Sequence, residues 1–190
     1  MSLSPPVKRK PMQRRTIQCE GFLREDGLWD IEARLLDARP YAYIDFRGGT
    51  KPANEPIHQM MVRLTVNDEM TIVAAEAEML DVPHNTCHYP ATIIGNMVGA
   101  RIGAGWKETV RKRIPTGDAC THLSELLVTM ATAVFQAMAF GKDPENSDPR
   151  VVTSQSETLP FFLDKCHSWR RDLENVQEIF PKWYEKKSFD

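Results

Sequence analysis

His84, Cys87 and His88 fall in an H-x-x-C-H run, and Cys120 and His122 stand two residues apart; thiolate and imidazole donors of this kind bind zinc or iron. The first run lies just before Pro90, which suits the opening turn of a helix, so its side chains share one turn. The second pair is constrained by geometry. Two positions apart on a regular helix means a rotation of about 200°, which sends the side chains to opposite sides. Cys120 and His122 converge only if the helix starts at or after Cys120, where free backbone N–H groups would also favour a thiolate. Cys87, Cys120, His122, His84 and His88 are therefore the candidate metal ligands, with zinc or iron as the candidate ion. The plainer alternative makes Cys120 a small buried apolar residue in line with Leu123 and Leu127, with His84 and His88 on the surface.

His58 raises a different chemistry. It shares a strand face with Met60, Val62 and Leu64, where a histidine is commonly a hydrogen-bonded core residue. With Tyr41, Tyr43, Arg63 and Glu76 it would instead line an apolar pocket and act as a base near neutral pH. The catalytic candidates are His58, His122, Tyr41 and Arg63. The run Gly99-Ala100-Arg101-Ile102-Gly103-Ala104-Gly105 is not a dinucleotide fingerprint, because it does not give G-x-G-x-x-G directly after a strand. Arg101, Lys107, Arg111, Lys112 and Arg113 read as a solvated basic face.

These groups must be positioned by two kinds of element. In residues 28–37, Trp29, Ile31, Ala33 and Leu35 alternate with Asp30, Glu32 and Arg34, the period of a half-buried strand. Asp26-Gly27 supplies a tight turn, so 16–24 and 28–37 form a hairpin. A Gly- and Pro-bearing loop follows, then a strand over 57–66, a turn at Asn67-Asp68-Glu69 and a fourth strand over 70–78. The period then changes. A short helix opens at Pro90 and stops at Gly99, an amphipathic segment surrounds Trp106 and Val110, and a long helix spans about 118–140. A polar connection covers 142–158, and a last helix opens at Pro160 with Phe162, Cys166, Trp169, Leu173 and Val176 as its stripe. Strands first and helices afterward predict an α+β fold, an antiparallel meander of about four strands with helices packed on one face.

The 190 residues are 42% hydrophobic and 26% charged, enough for one packed core. Residues 1–15 read as a flexible basic arm, 16–180 as a single α+β domain and 181–190 as a tail. A net charge of −2 gives no field that would draw nucleic acid. No apolar run approaches the roughly 20 residues of a membrane span, and the N-terminus lacks the apolar stretch of a secretory signal. A cytoplasmic protein with four reduced thiols is expected, its partners a small-molecule substrate or a second copy of the chain.

Residues 21–30 (GFLREDGLWD), 56–60 (PIHQM) with Arg63-Leu64-Thr65, and 120–127 (CTHLSELL) together resemble an uncharacterised bacterial family, a domain of unknown function. The resemblance spans nearly the whole core and implies an association with the catabolism of aromatic compounds. A second resemblance, in layout, is to the iron-sulfur cluster scaffold proteins, which set a cysteine before a first helix and a His/Cys pair at a later one. Cys87, Cys120 and His122 fall in that order, but residues 88–119 hold no further cysteine. The leading expectation is a small lyase or hydrolase acting on a small, aromatic molecule. A metal-binding or scaffold-like accessory protein and a noncatalytic ligand-binding module are the alternatives.

Overall fold

Period-two alternation becomes a ten-residue strand in the computed structural model, which describes residues 3–143, 145, 146 and 148–186. Met1 and Ser2 of the expected arm, Pro144 and Ser147 of the expected connection, and residues 187–190 of the expected tail lie outside the described residues. Strand β1 is Arg14–Leu23, β2 Trp29–Ala38, β5 Pro56–Val66 and β6 Ile72–Asp81; all pair antiparallel in the order β1-β2-β5-β6. The β1–β2 hairpin turns at Gly27, whose φ of 81° requires the residue without a Cβ. Between β2 and β5 a small hairpin of β3 (Tyr43–Ile44) and β4 (Thr50–Lys51) stands apart as a second sheet. The fold is α+β with a four-stranded meander, as the pattern predicts.

One face of the sheet is apolar. Trp29, Ile31, Ala33 and Leu35 of β2 and Met60, Val62, Leu64 and Val66 of β5 are all buried. Over it pack helices α1 (Tyr89–Thr92), α2 (Trp106–Arg113) and α3 (Thr121–Met138), the last burying Leu123, Leu126, Leu127, Met130 and Val134. The buried Trp106 indole N–H donates to the Leu127 carbonyl at 2.7 Å and ties α2 to α3. Trp106→Phe is expected to cost about 1–2 kcal/mol, a lost buried hydrogen bond, read as a lower urea midpoint with an unchanged m-value.

Three helical expectations are corrected. The helix opening at Pro90 breaks after four residues into a 3₁₀ turn over Ile94–Met97, because Thr92, Ile93 and Ile94 are β-branched and Gly95 follows. The polar connection contains α4 (Pro149–Gln155), nucleated by the Asp148 carboxylate accepting from the Arg150 N–H, with Pro149 in the first turn. The long last helix does not form. Asp164 takes a left-handed φ of 60°, and between residues 160 and 180 only a 3₁₀ turn over His167–Trp169 and α5 (Glu174–Ile179) are helical.

The chain divides into two compact units, one through Val134 and one from Phe135. The second has its own small core of Leu163, Val176 and Phe180, against which Phe162, Trp169 and Trp183 pack. Aromatic faces at 5.3–5.6 Å replace the amphipathic stripe that a helix would have used. No helix of the described residues is long and apolar enough to cross a membrane.

Candidate functional site

Strand register builds the site. Arg15 of β1 lies opposite Asp37 of β2, and Asp37 lies opposite His58 of β5, so the three form a row across the sheet. Directly paired residues share a face, and Asp37 continues the series Trp29, Ile31, Ala33, Leu35 by another step of two. The row is thus a polar end to the apolar face, and Asp37 is buried, its side chain 5% exposed. The first turn of α3 adds His122 from the helix layer.

The Arg15 guanidinium holds Asp37 with Nε to Oδ1 at 2.8 Å and Nη2 to Oδ2 at 2.8 Å, and Gln13 donates to Oδ1 at 2.9 Å. Arg15 Nη1 also donates to Glu125 of α3 at 2.7 Å. Asp37 Oδ2 meanwhile lies 3.3 Å from His58 Nδ1 and 3.5 Å from His122 Nε2. The two imidazole rings approach to 4.1 Å between centroids. His58 Nδ1 is buried, yet among the described residues it makes no aligned hydrogen bond despite its nearness to Asp37. One donor atom from each of Asp37, His58 and His122 lies within 4.8 Å of the other two.

The surroundings favour an ionised carboxylate at Asp37 and neutral rings at His58 and His122. Burial works against the Asp37 carboxylate, but the Arg15 hydrogen bonds and charge, with the two imidazoles, outweigh it and hold its pKa below the usual range. Burial is the largest influence on both histidines and lowers their pKa values; Asp37 opposes it, while Arg15, and for His122 also His58, reinforce it. In the unfolded chain each histidine titrates near about 6.5. Below that value the unfolded chain takes up protons that the folded cluster resists. The stability contributed by these neutral rings is present above about pH 6.5 and lost as pH falls through the lowered folded values. The urea midpoint of chelator-treated protein is expected to fall on going from about pH 7 to about pH 5.5, and the H58N/H122N double variant to show a flatter profile.

Cys120 and His122 meet as the helix-start condition requires. The Cys120 carbonyl accepts the first helical bond from Ser124, so α3 begins just after it, and its Sγ lies 3.6 Å from His122 Nδ1. The other expected ligands are elsewhere. His84, Cys87 and His88 occupy the loop and 3₁₀ turn after β6, outside the three-residue group, with His84 stacked against Phe46 at 6.1 Å. Arg63 is five residues from His58 on one strand and so points to the opposite face, where it pairs with Glu32 at 2.6 Å and Glu76 at 3.5 Å. Tyr41 carries Lys10 over its ring at 5.5 Å. Tyr43 is the tyrosine that reaches the cavity.

That cavity, about 340 Å³, is lined by Asp37, His58 and His122 together with Arg39, Tyr43 and Phe46. Gln13 and Arg15 lie within residues 1–15, expected as an arm, and Asp37 at the expected end of a strand, yet the three are bonded together. The signal for Asp37 was its place on the apolar face two residues beyond Leu35; no local pattern marked Arg15. No curated protein and no solved structure matches the chain. A family model described as "Protein of unknown function (DUF2889)" matches residues 13–136, a segment that holds every residue of this cluster, and the chain belongs to that family.

Proposed function

We propose that the chain is an enzyme that binds a divalent transition-metal cation through Asp37, His58 and His122 and uses it on a small molecule in the adjoining cavity. The carrying observation is the convergence of one carboxylate oxygen and two imidazole nitrogens, His58 Nδ1 without an aligned hydrogen bond. Ligands bound at about 2.1 Å with near-tetrahedral angles sit about 3.4 Å apart. The 3.3 and 3.5 Å separations from Asp37 Oδ2 match that spacing. Neutral imidazoles are the ligating form, and burial favours it. Cys120 supports the arrangement from outside, since an Nδ1–H of His122 donated to Sγ would leave Nε2 free to bind.

Two histidines and one carboxylate leave coordination positions for water and substrate. A cation held in this way polarises a carbonyl or activates water, which is the chemistry of a hydrolase or a lyase. The 190-residue chain, stripped with chelator and titrated with Zn²⁺ or with Fe²⁺ under anaerobic conditions, is expected to bind one ion per chain. Binding no tighter than that of an H58A/H122A variant overturns the reading.

The double hold of Arg15 on Asp37 favours one alternative, in which the carboxylate is satisfied without an ion and His58 or His122 serves as a base. Turnover unaffected by metal removal would favour it.

A further inference from the structure

Polar groups that the Asp37–His58–His122 centre does not use line the rest of the cavity. Four cationic side chains, Arg15, Arg39, Arg47 and Lys51, face two carboxylates, Asp37 and Asp45. Asp37 is held by Arg15, and Asp45 Oδ1 accepts from the backbone N–H groups of Arg47 and Gly49 in the β3–β4 turn. Arg15 also pairs with Glu125, Lys51 pairs with Glu55 at 3.6 Å and Arg47 donates to Asn85 at 3.2 Å, so Arg39 is the least satisfied of the four.

Four arginines are half-buried among the described residues: Arg39, Arg113, Arg170 and Arg171. Arg113 donates to the carbonyls of Asn96 and Val98, Arg170 pairs with Asp172, and Arg171 pairs with Asp164. Among the described residues the Arg39 guanidinium has only the face of Tyr43, 4.2 Å from its ring centre. Stacking occupies the plane of a guanidinium and leaves its N–H edge to bind in the plane. A partly desolvated cation with an unspent fork suits a carboxylate, which takes two parallel N–H bonds. The walls beside it are apolar and aromatic: Tyr43, Ile57, Val82 and Pro83 line the cavity, and Phe46 at its rim is 90% exposed. A volume of about 340 Å³ lies at the small end of ligand pockets, which run from roughly 300 to 1,000 Å³.

We propose that the substrate is a small ring-bearing carboxylic acid whose carboxylate is held by the Arg39 guanidinium and whose ring lies against Tyr43 and Phe46. This rests on the reading of Asp37, His58 and His122 as the reaction centre. The anionic end is anchored at Arg39, and the rest of the molecule reaches that centre.

The test is NMR-detected titration of the 190-residue chain, with and without Zn²⁺, using benzoate, its neutral isostere benzamide, and phenyl phosphate. Benzoate is expected to bind at least about tenfold more tightly than benzamide, the worth of a charge-assisted pair. R39Q is expected to remove that preference while keeping wild-type Zn²⁺ stoichiometry, which also reports that the variant is folded; R39K, which keeps the charge without the fork, is expected to restore it only in part. Equal binding of benzoate and benzamide, no binding of either, or benzoate binding unchanged in R39Q overturns the proposal. Tighter, Arg39-dependent binding of phenyl phosphate overturns its carboxylate. Failure of Zn²⁺ to bind while benzoate still prefers Arg39 sinks the metal reading and leaves the anion site standing.

Discussion

Asp37→Asn is expected to be the most damaging single change in the site, lowering both stability and metal binding. The amide keeps the size of the carboxylate but turns an N–H donor toward either the Arg15 guanidinium or the two imidazoles, and it removes the negative charge that all three face. Breaking one partner of a fully buried ion pair costs about 3–5 kcal/mol. The Arg15 side chain is 33% exposed and keeps Glu125, so solvent recovers part of that loss and about 1–3 kcal/mol is expected. Chemical denaturation at neutral pH measures it. Metal affinity, followed by competition with a chromophoric chelator, is expected to fall by more than the roughly 10–100-fold that loss of an outer partner causes. A D37N protein with wild-type stability would contradict the position of Asp37 at the centre of the row.

The second large effect separates the proposed ligand His122 from its neighbour Cys120. His122→Ala removes one of the two imidazoles and is expected to abolish measurable Zn²⁺ binding, leaving two donors where three converge. Cys120→Ala removes only the Sγ partner of His122 Nδ1, and about a tenfold loss is expected from a freer ring. The order of the two effects is the informative result. If Cys120→Ala cost more than His122→Ala, sulfur rather than imidazole would be the ligand. The two variants should differ little in stability, since neither leaves a buried charge unpaired that the wild type had paired.

Much of the frame was legible in the residues. The alternation of Trp29, Ile31, Ala33 and Leu35, the Asp26-Gly27 turn and the run from His58 to Val66 predict a meander with one apolar face, and the register has that form. These are local signals, written by side-chain period and turn chemistry. The helices after residue 140 were less legible. Their apolar residues step by three and four, but Asp164 in the left-handed region and the clustering of Phe162, Trp169 and Phe180 replace the single helix with turns. Tertiary packing of aromatic rings outweighed a weak helical period.

The histidines of the site carried their own notice: His58 on an apolar strand face, and His122 beside a cysteine at a helix start. Their partner did not. The loop cysteine and histidines at 84–88 offered better sequence spacing for a metal, yet they remain outside the group that converges. Residue types and periods determined the strands, the apolar face and a long helix over about 118–140, which the fold starts at Thr121. Only the pairing of β1, β2 and β5 decided that Arg15, Asp37 and His58, separated by about 20 residues at each step, stand side by side, and only the seating of α3 brought His122 over them. Register is a property of two strands at once, so a row of residues across a sheet is written in no single stretch of the chain.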